Sequence, residues 1–187
     1  MLTADVRRTT PKFDLSRFTF ANARTAPLWA LLRVYVGYEW LTAGLHKASD
    51  PNGVWIGAKA GVAVGGFLKG ALAKTAGDHP DVQGWYASFI QNFALPNATL
   101  FSYLVTFGEI AVGLALILGL FTAVAAFFGG FMNVAYLLAG TVSTNPVLFV
   151  LATWLVLAWR VAGYLGLDYF VLPRLGFKTP SARPKDN

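Results

Sequence analysis

Glu109 lies in the middle of an apolar run, residues 100–120, LFSYLVTFGEIAVGLALILGL. A carboxylate at the centre of a bilayer costs about 2.5–3.5 kcal/mol on insertion scales, so such a group is normally paired or put to use. Other apolar runs carry Glu39, Arg33 and Arg160, with Asn133 and Tyr136 as neutral polar groups and His46 and Lys47 at the end of the run that holds Glu39. These residue types allow proton exchange at a buried carboxyl group, hydrogen bonding to a ligand oxygen, and mutual charge neutralisation. Two arginines and two carboxylates at compatible depths predict a buried cluster of Arg33, Glu39, Glu109 and Arg160, because pairing is how such charges are tolerated. The cluster either lines a polar cavity for a ligand or protons, or only fixes helix register. Lys47 has a further reading as a cation snorkelling to the interface.

The elements that must position these groups are long apolar helices. Hydrophobic residues make up 56% of the 187-residue chain and charged residues only 13%, with a mean hydropathy of +0.53. Blocks of about 20 apolar residues match the hydrocarbon thickness at a helical rise of 1.5 Å per residue. Four spans are expected, at 28–48, 97–119, 122–140 and 146–165. The links after the second and third are short enough to force antiparallel neighbours. The fold class is therefore an all-α integral membrane protein, a four-transmembrane-helix bundle. Counting rise from the span ends puts Glu39 about 16 Å and Glu109 about 18 Å deep, both near mid-plane.

Helical phase sorts the faces. Ser102, Thr106, Glu109 and Gly113 share one stripe of the second span, and Thr122, Ala126, Gly129, Asn133, Tyr136 and Gly140 one stripe of the third. Small and polar stripes of this kind pack against other helices. Thr153, Arg160, Gly163 and Tyr164 form a broad face of the fourth. The first span has two polar sectors, Arg33, Gly37, Trp40, Gly44 and Lys47 on one side and Tyr35, Glu39, Thr42 and His46 on the other, which predicts a central place in the bundle.

The net charge of +6 comes mostly from the ends. Arg7, Arg8, Lys12, Arg17 and Arg24 precede the first span, and Arg174, Lys178, Arg183 and Lys185 follow the last. An even number of spans with both ends basic predicts cytoplasmic arms at 1–27 and 171–187 and an outer segment at 49–95. No secretory signal is expected in the polar first arm. In the outer segment Val64, Phe67, Leu68, Ala71 and Leu72 share a face opposite Lys59, Lys69 and Lys74. Val82, Trp85, Tyr86, Phe89, Ile90 and Phe93 share another. Two amphipathic interfacial helices fit this pattern. The competing view, a fifth span over 53–73, would separate the basic ends across the membrane.

No basic stripe crosses the body, so no nucleic-acid partner is expected. The absence of cysteine excludes disulfides, thiolate metal sites, and iron–sulfur clusters held by cysteine. With only His46 and His79 for axial ligation, no haem is expected, and no metal site is foreseen.

The segments LLRVYVGYEWLTAGLHK, WYASFIQNFALPNATLFSYLVTFGEIAVGLALILGLFT, YLLAGTVSTNPVL and GYLGLDYFVLP occur in that order. Together they resemble the DoxX/DoxD family of small four-helix membrane proteins, which includes the membrane subunit of thiosulfate:quinone oxidoreductase. The resemblance spans roughly 31–174. It rests on Arg33, Gly37, Gly44 and Lys47, on Pro96, Gly108, Glu109, Gly113 and Gly119, and on Asn145, Pro146, Gly166, Leu167 and Asp168.

The resemblance implies oxidation of thiosulfate to tetrathionate coupled to reduction of membrane quinone. Its expected location is the plasma membrane of a prokaryote. Glu109 or Glu39 would then supply protons, with Tyr136 or Asn133 bonding a quinone oxygen, Arg33 and Arg160 balancing charge, and Lys47 and His46 meeting an incoming anion. Expected partners are the bilayer, quinone, a second redox subunit, and further copies of the chain. The alternatives are a non-enzymatic scaffold that recruits a redox partner, and a conduit for protons or small solutes.

Overall fold

Pro27 opens the longest helix in the computed structural model, which describes residues 15–177. Proline suits this position because its missing N–H would have no intrahelical partner. Among the described residues the chain is all helical: α1 (Leu15–Ala21), α2 (Ala26–Ala48), α3 (Val62–Leu72), α4 (Gly84–Phe89), α5 (Ala98–Leu118), α6 (Thr122–Leu138), α7 (Asn145–Leu157) and α8 (Asp168–Arg174). A 3-10 turn over Ala23–Thr25 precedes α2, and a π-helical turn over Ile90–Ala94 continues α4. Arg7, Arg8, Lys12, Lys178, Arg183 and Lys185, expected to mark the cytoplasmic side, lie outside the described residues, as does the side chain of Arg17.

By length and composition α5 alone among the described helices suits a membrane crossing, at 21 residues and a mean hydropathy of 1.9. Helix α2 is longer, at 23 residues, but carries Arg33, Glu39 and Lys47. Helices α6 and α7 are apolar but have only 17 and 13 residues. The fourth expected span, 146–165, is interrupted. α7 ends at Leu157, and the chain continues in turns closed by Val161 N–H to Ala158 O and Tyr164 N–H to Val161 O. These turns still pack inward, since Ala158, Val161 and Ala162 are fully buried.

Helices α2 and α5 form the most extensive pairing and α6 with α7 the next. Glycine lets α2 and α5 approach: a Cβ at Gly37 would stand 2.9 Å from the Gly113 carbonyl oxygen, and one at Gly44 would stand 2.8 Å from the Ile110 nitrogen. These contacts fix an antiparallel register in which Gly37 lies opposite Gly113 and Gly44 opposite Glu109 and Ile110. The expected stripes of α5 and α6 are the buried ones, with Ser102, Thr106, Glu109 and Gly113 on α5 and Thr122, Ala126, Gly129 and Asn133 on α6.

Two expectations for helix faces are corrected. Helix α2 buries one side only, through Trp29, Arg33, Val36, Gly37, Trp40 and Gly44, while Tyr35, Thr42 and His46 are exposed. It is therefore not central. Helix α7 buries Leu148, Ala152 and Leu155 and leaves Thr153 exposed, and in the turns after it Arg160 is exposed while Gly163 is buried.

The outer segment folds onto the bundle. Val64, Leu68, Ala71, Val82, Tyr86, Ile90, Ala94 and Ala139 form a second core, separate from that around Trp40, Leu116 and Leu155. The amphipathic faces of 62–72 and 82–93 thus pack on protein. Trp85, Phe89 and Phe93 depart from the expected inward face and stay exposed; for Phe93 the reason is the π-helical turn over Ile90–Ala94, which rotates the chain after Phe89. Residues 53–73 hold turns and one short helix, so no fifth span forms there. Ser102 Oγ donates to Trp55 O at 2.5 Å and Thr99 Oγ1 to Ala60 O at 3.1 Å, fastening the segment to α5. Gly61, at φ 95°, permits this contact, since a Cβ would collide with Thr99.

Candidate functional site

The outer segment roofs a chamber of about 670 Å³ above the α2–α5–α6 contact. That volume lies within the range of ordinary small-molecule sites. Nine of its lining residues are aromatic, among them Trp40, Trp55, Tyr86 and Phe101, so most of the wall is flat and apolar. Trp85 and Phe131, which line it too, are each 63% exposed. The charged residues on its wall are Glu39, Lys47 and Glu109.

Glu109 is 2% exposed and is held from two sides. Lys47 Nζ lies 2.6 Å from Oε2, and the Tyr136 hydroxyl donates to Oε1 at 2.9 Å. Charge-assisted bonds of this length are strong, and here the Glu109 end is buried while Lys47 is partly buried. Lys47 Nζ also lies 5.1 Å from the centre of the Trp55 ring, a cation–π distance. Three elements therefore meet at one carboxylate: the C-terminal end of α2, the middle of α5 and the C-terminal turn of α6. Tyr86, on the roof, donates to Ala135 O at 2.9 Å, and burial pushes its phenol up, so it stays a neutral donor.

The predicted four-membered charge cluster does not form. Arg33 lies at the opposite end of the α2–α5 pair, where its guanidinium donates to Leu116 O at 2.7 Å, Ile117 O at 3.1 Å and Leu165 O at 3.1 Å. Its charge faces the last carbonyls of α5, where the helix dipole is negative, and Asp168 is its charged neighbour. Arg160 is exposed and stacks on Trp159 at 4.9 Å. Glu39 lines the chamber but lies about 8 Å along α2 from the level of Glu109, five residues before Gly44. His46 is exposed and does not line the chamber. Asn133 is fully buried with neither amide atom hydrogen-bonded, and it too stands off the chamber wall. The structure thus brings together Glu109, Lys47 and Tyr136, with Glu39 on the same wall, and leaves out Arg33, Arg160, His46 and Asn133.

Asp168 is the buried charge that reasoning from sequence left without a role. Its Oδ1 accepts from Phe121 N at 2.6 Å and its Oδ2 from Thr122 N at 2.9 Å. It thereby caps α6 from a distant part of the chain, and it starts α8. Leu167 N to Leu118 O and Asp168 N to Gly119 O close the same knot. Gly119, at φ 64°, ends α5 where a Cβ would collide with the Arg33 guanidinium and Gly166. The visible signal was the sequence GLD ahead of an apolar segment. The partner amides, like any backbone groups, leave no mark in a sequence.

A family model described as DoxX matches residues 28–141, more than half of the chain. The chain belongs to the DoxX family. The matched stretch runs from α2 to the end of α6, so Lys47, Glu109, Tyr136 and the roof all lie in the DoxX region, while α7 and Asp168 lie beyond it. DoxX membership makes this a membrane-associated protein. No curated protein and no solved structure matches it.

Proposed function

We propose that this DoxX protein crosses the bilayer four times, on α2, α5, α6 and α7 with the turns after it, and that the chamber is a site for membrane quinone. The observation that carries this reading is the Lys47–Glu109–Tyr136 triad on the wall of an otherwise apolar, aromatic chamber. A quinone head group needs flat apolar walls for its ring, a few polar groups for its oxygens, and a proton source. Lys47 has N–H groups beyond the one given to Glu109, and these can donate to a quinone carbonyl. The Tyr136 oxygen can accept from a quinol hydroxyl. Reduction of quinone to quinol takes two electrons and two protons. Glu109 and Glu39, both on the wall, are the carboxylates that take up protons from the aqueous side and pass them to the reduced quinone.

The electrons come, in this reading, from a sulfur compound such as thiosulfate, two of which give tetrathionate and two electrons. Glu39 and Glu109 against Lys47 leave the chamber formally negative, which disfavours entry of a dianion. The sulfur donor is therefore oxidised outside the chamber, on a second redox subunit. In this reading both termini are cytoplasmic, because both ends of the chain are basic.

The test is thiosulfate-dependent reduction of a soluble quinone analogue by the purified chain, alone and with its co-purifying partner. The expected result is turnover that needs the partner and falls about a hundredfold in Glu109→Gln, the size of a lost general acid, while the analogue still binds. A chain that binds no quinone analogue would sink the quinone site. Capture of a redox partner without quinone binding would support a scaffold, and solute flux in proteoliposomes without redox substrates a conduit.

A further inference from the structure

Glu39 is the one charged group on the chamber wall with no counter-ion. Its side chain makes no hydrogen bond or ion pair among the described residues. Lys47 is committed to Glu109 at 2.6 Å, and Arg33 is held by three carbonyls at the far end of the α2–α5 pair. No other lining residue is cationic. An unneutralised carboxylate facing an apolar chamber is costly, and a cation brought by a ligand removes that cost.

The rest of the wall suits the same occupant. Aromatic faces carry negative charge density and attract cations within about 6 Å of the ring centre. Trp40, Trp55, Trp85, Tyr86, Phe89 and Phe131 all present to the chamber. The wall already holds one cation in this way, Lys47 over Trp55. A compact, hydrated cation would lose too much hydration here, but one whose charge is spread under aromatic or aliphatic groups would not.

We infer that the chamber binds a lipophilic organic monocation, with Glu39 as its counter-ion and the aromatic wall as its cage. The inference uses the chamber's charge and lining and does not require that quinone binds there.

The experiment measures binding of labelled tetraphenylphosphonium to the full-length chain in neutral detergent by equilibrium dialysis, with tetraphenylborate, the same shape with opposite charge, as competitor. Saturable binding of about one cation per chain is expected, and tetraphenylborate should not compete. Glu39→Gln should weaken binding about tenfold or more, the loss expected for one charged partner, and Glu39→Asp should keep most of it. Absence of saturable phosphonium binding, equal binding of the two ions, or an unchanged affinity in Glu39→Gln would overturn the inference. Should Glu39→Gln fail to fold, the phosphonium–borate comparison on the unaltered chain decides. A chain that binds a quinone analogue but no phosphonium would sink this inference and leave the quinone site standing, and the opposite result would do the reverse.

Discussion

Lys47, at the C-terminal end of α2, reaches inward to place its ammonium 2.6 Å from the Glu109 carboxylate at the middle of α5. The usual direction for a lysine at a helix end is outward, toward water. Here the outer segment covers that end of the bundle, and a buried carboxylate at the level of Gly44 offers more than the interface does. The pair joins the two helices that the glycine contacts hold in register.

Removing one partner should expose the worth of the pair. Lys47→Met leaves Glu109 buried without a cation and should cost about 3–5 kcal/mol if the carboxylate stays charged. Lys47→Met combined with Glu109→Gln should recover at least about 1 kcal/mol of that loss, the coupling expected of a direct contact. Thermal unfolding of both variants in detergent measures it, and strict additivity would argue against the pair.

The α2–α5 contact should tolerate no added methyl. A Cβ at Gly113 would meet the Leu41 backbone, so Gly113→Ala should destabilise by about 1–3 kcal/mol. Gly66, on α3, has open space around it, and Gly66→Ala should stabilise slightly, by up to about 1 kcal/mol of helix propensity. Opposite shifts in unfolding temperature for two identical substitutions would verify the packing.

Asp168 gives two backbone hydrogen bonds their acceptor and stands beside buried Arg33. Asp168→Ala should therefore cost about 3 kcal/mol, since bonds to charged groups contribute about 1.5–3 kcal/mol each and Arg33 loses its neighbour. Asp168→Asn keeps one acceptor and should lose less. Equal unfolding temperatures for the two would contradict the capping role.

The chain has no cysteine, so single thiols can report its topology. His79→Cys in the outer segment should react with a membrane-impermeant thiol reagent on intact cells, and Ser181→Cys should react only after lysis. Labelling of both from outside would contradict the four-span arrangement.

Filling the chamber should block binding without unfolding the chain. Ala43, on α2, lines the chamber. Ala43→Phe should weaken a quinone analogue about tenfold or more, with an unfolding temperature within a few degrees of the parent. Intact binding would place the quinone elsewhere.

Much of the frame was legible because helical period is local. The stripe Ser102, Thr106, Glu109, Gly113 needs only 3.6 residues per turn to be recognised, and all four are buried. The inward face of Val64, Leu68 and Ala71 was legible for the same reason. Phe93 departs from the expected face because a π-helical turn changes the period without any marker in composition. Arg33 was paired with a carboxylate because carboxylates are visible in a sequence and carbonyls are not. Every residue has a carbonyl, so nothing singles out Leu116, Ile117 and Leu165.

The sequence by itself determined that the chain is helical, apolar and of the DoxX family, and that Glu109 occupies a packed face, since each of these depends on composition, local period or ordered motifs. Only the tertiary structure decided that Glu109 pairs with Lys47 and Tyr136 rather than with an arginine. Those partners lie 62 and 27 residues away. Their meeting depends on the register that Gly37, Gly44 and Gly113 impose between α2 and α5, and on the roof that turns Lys47 inward.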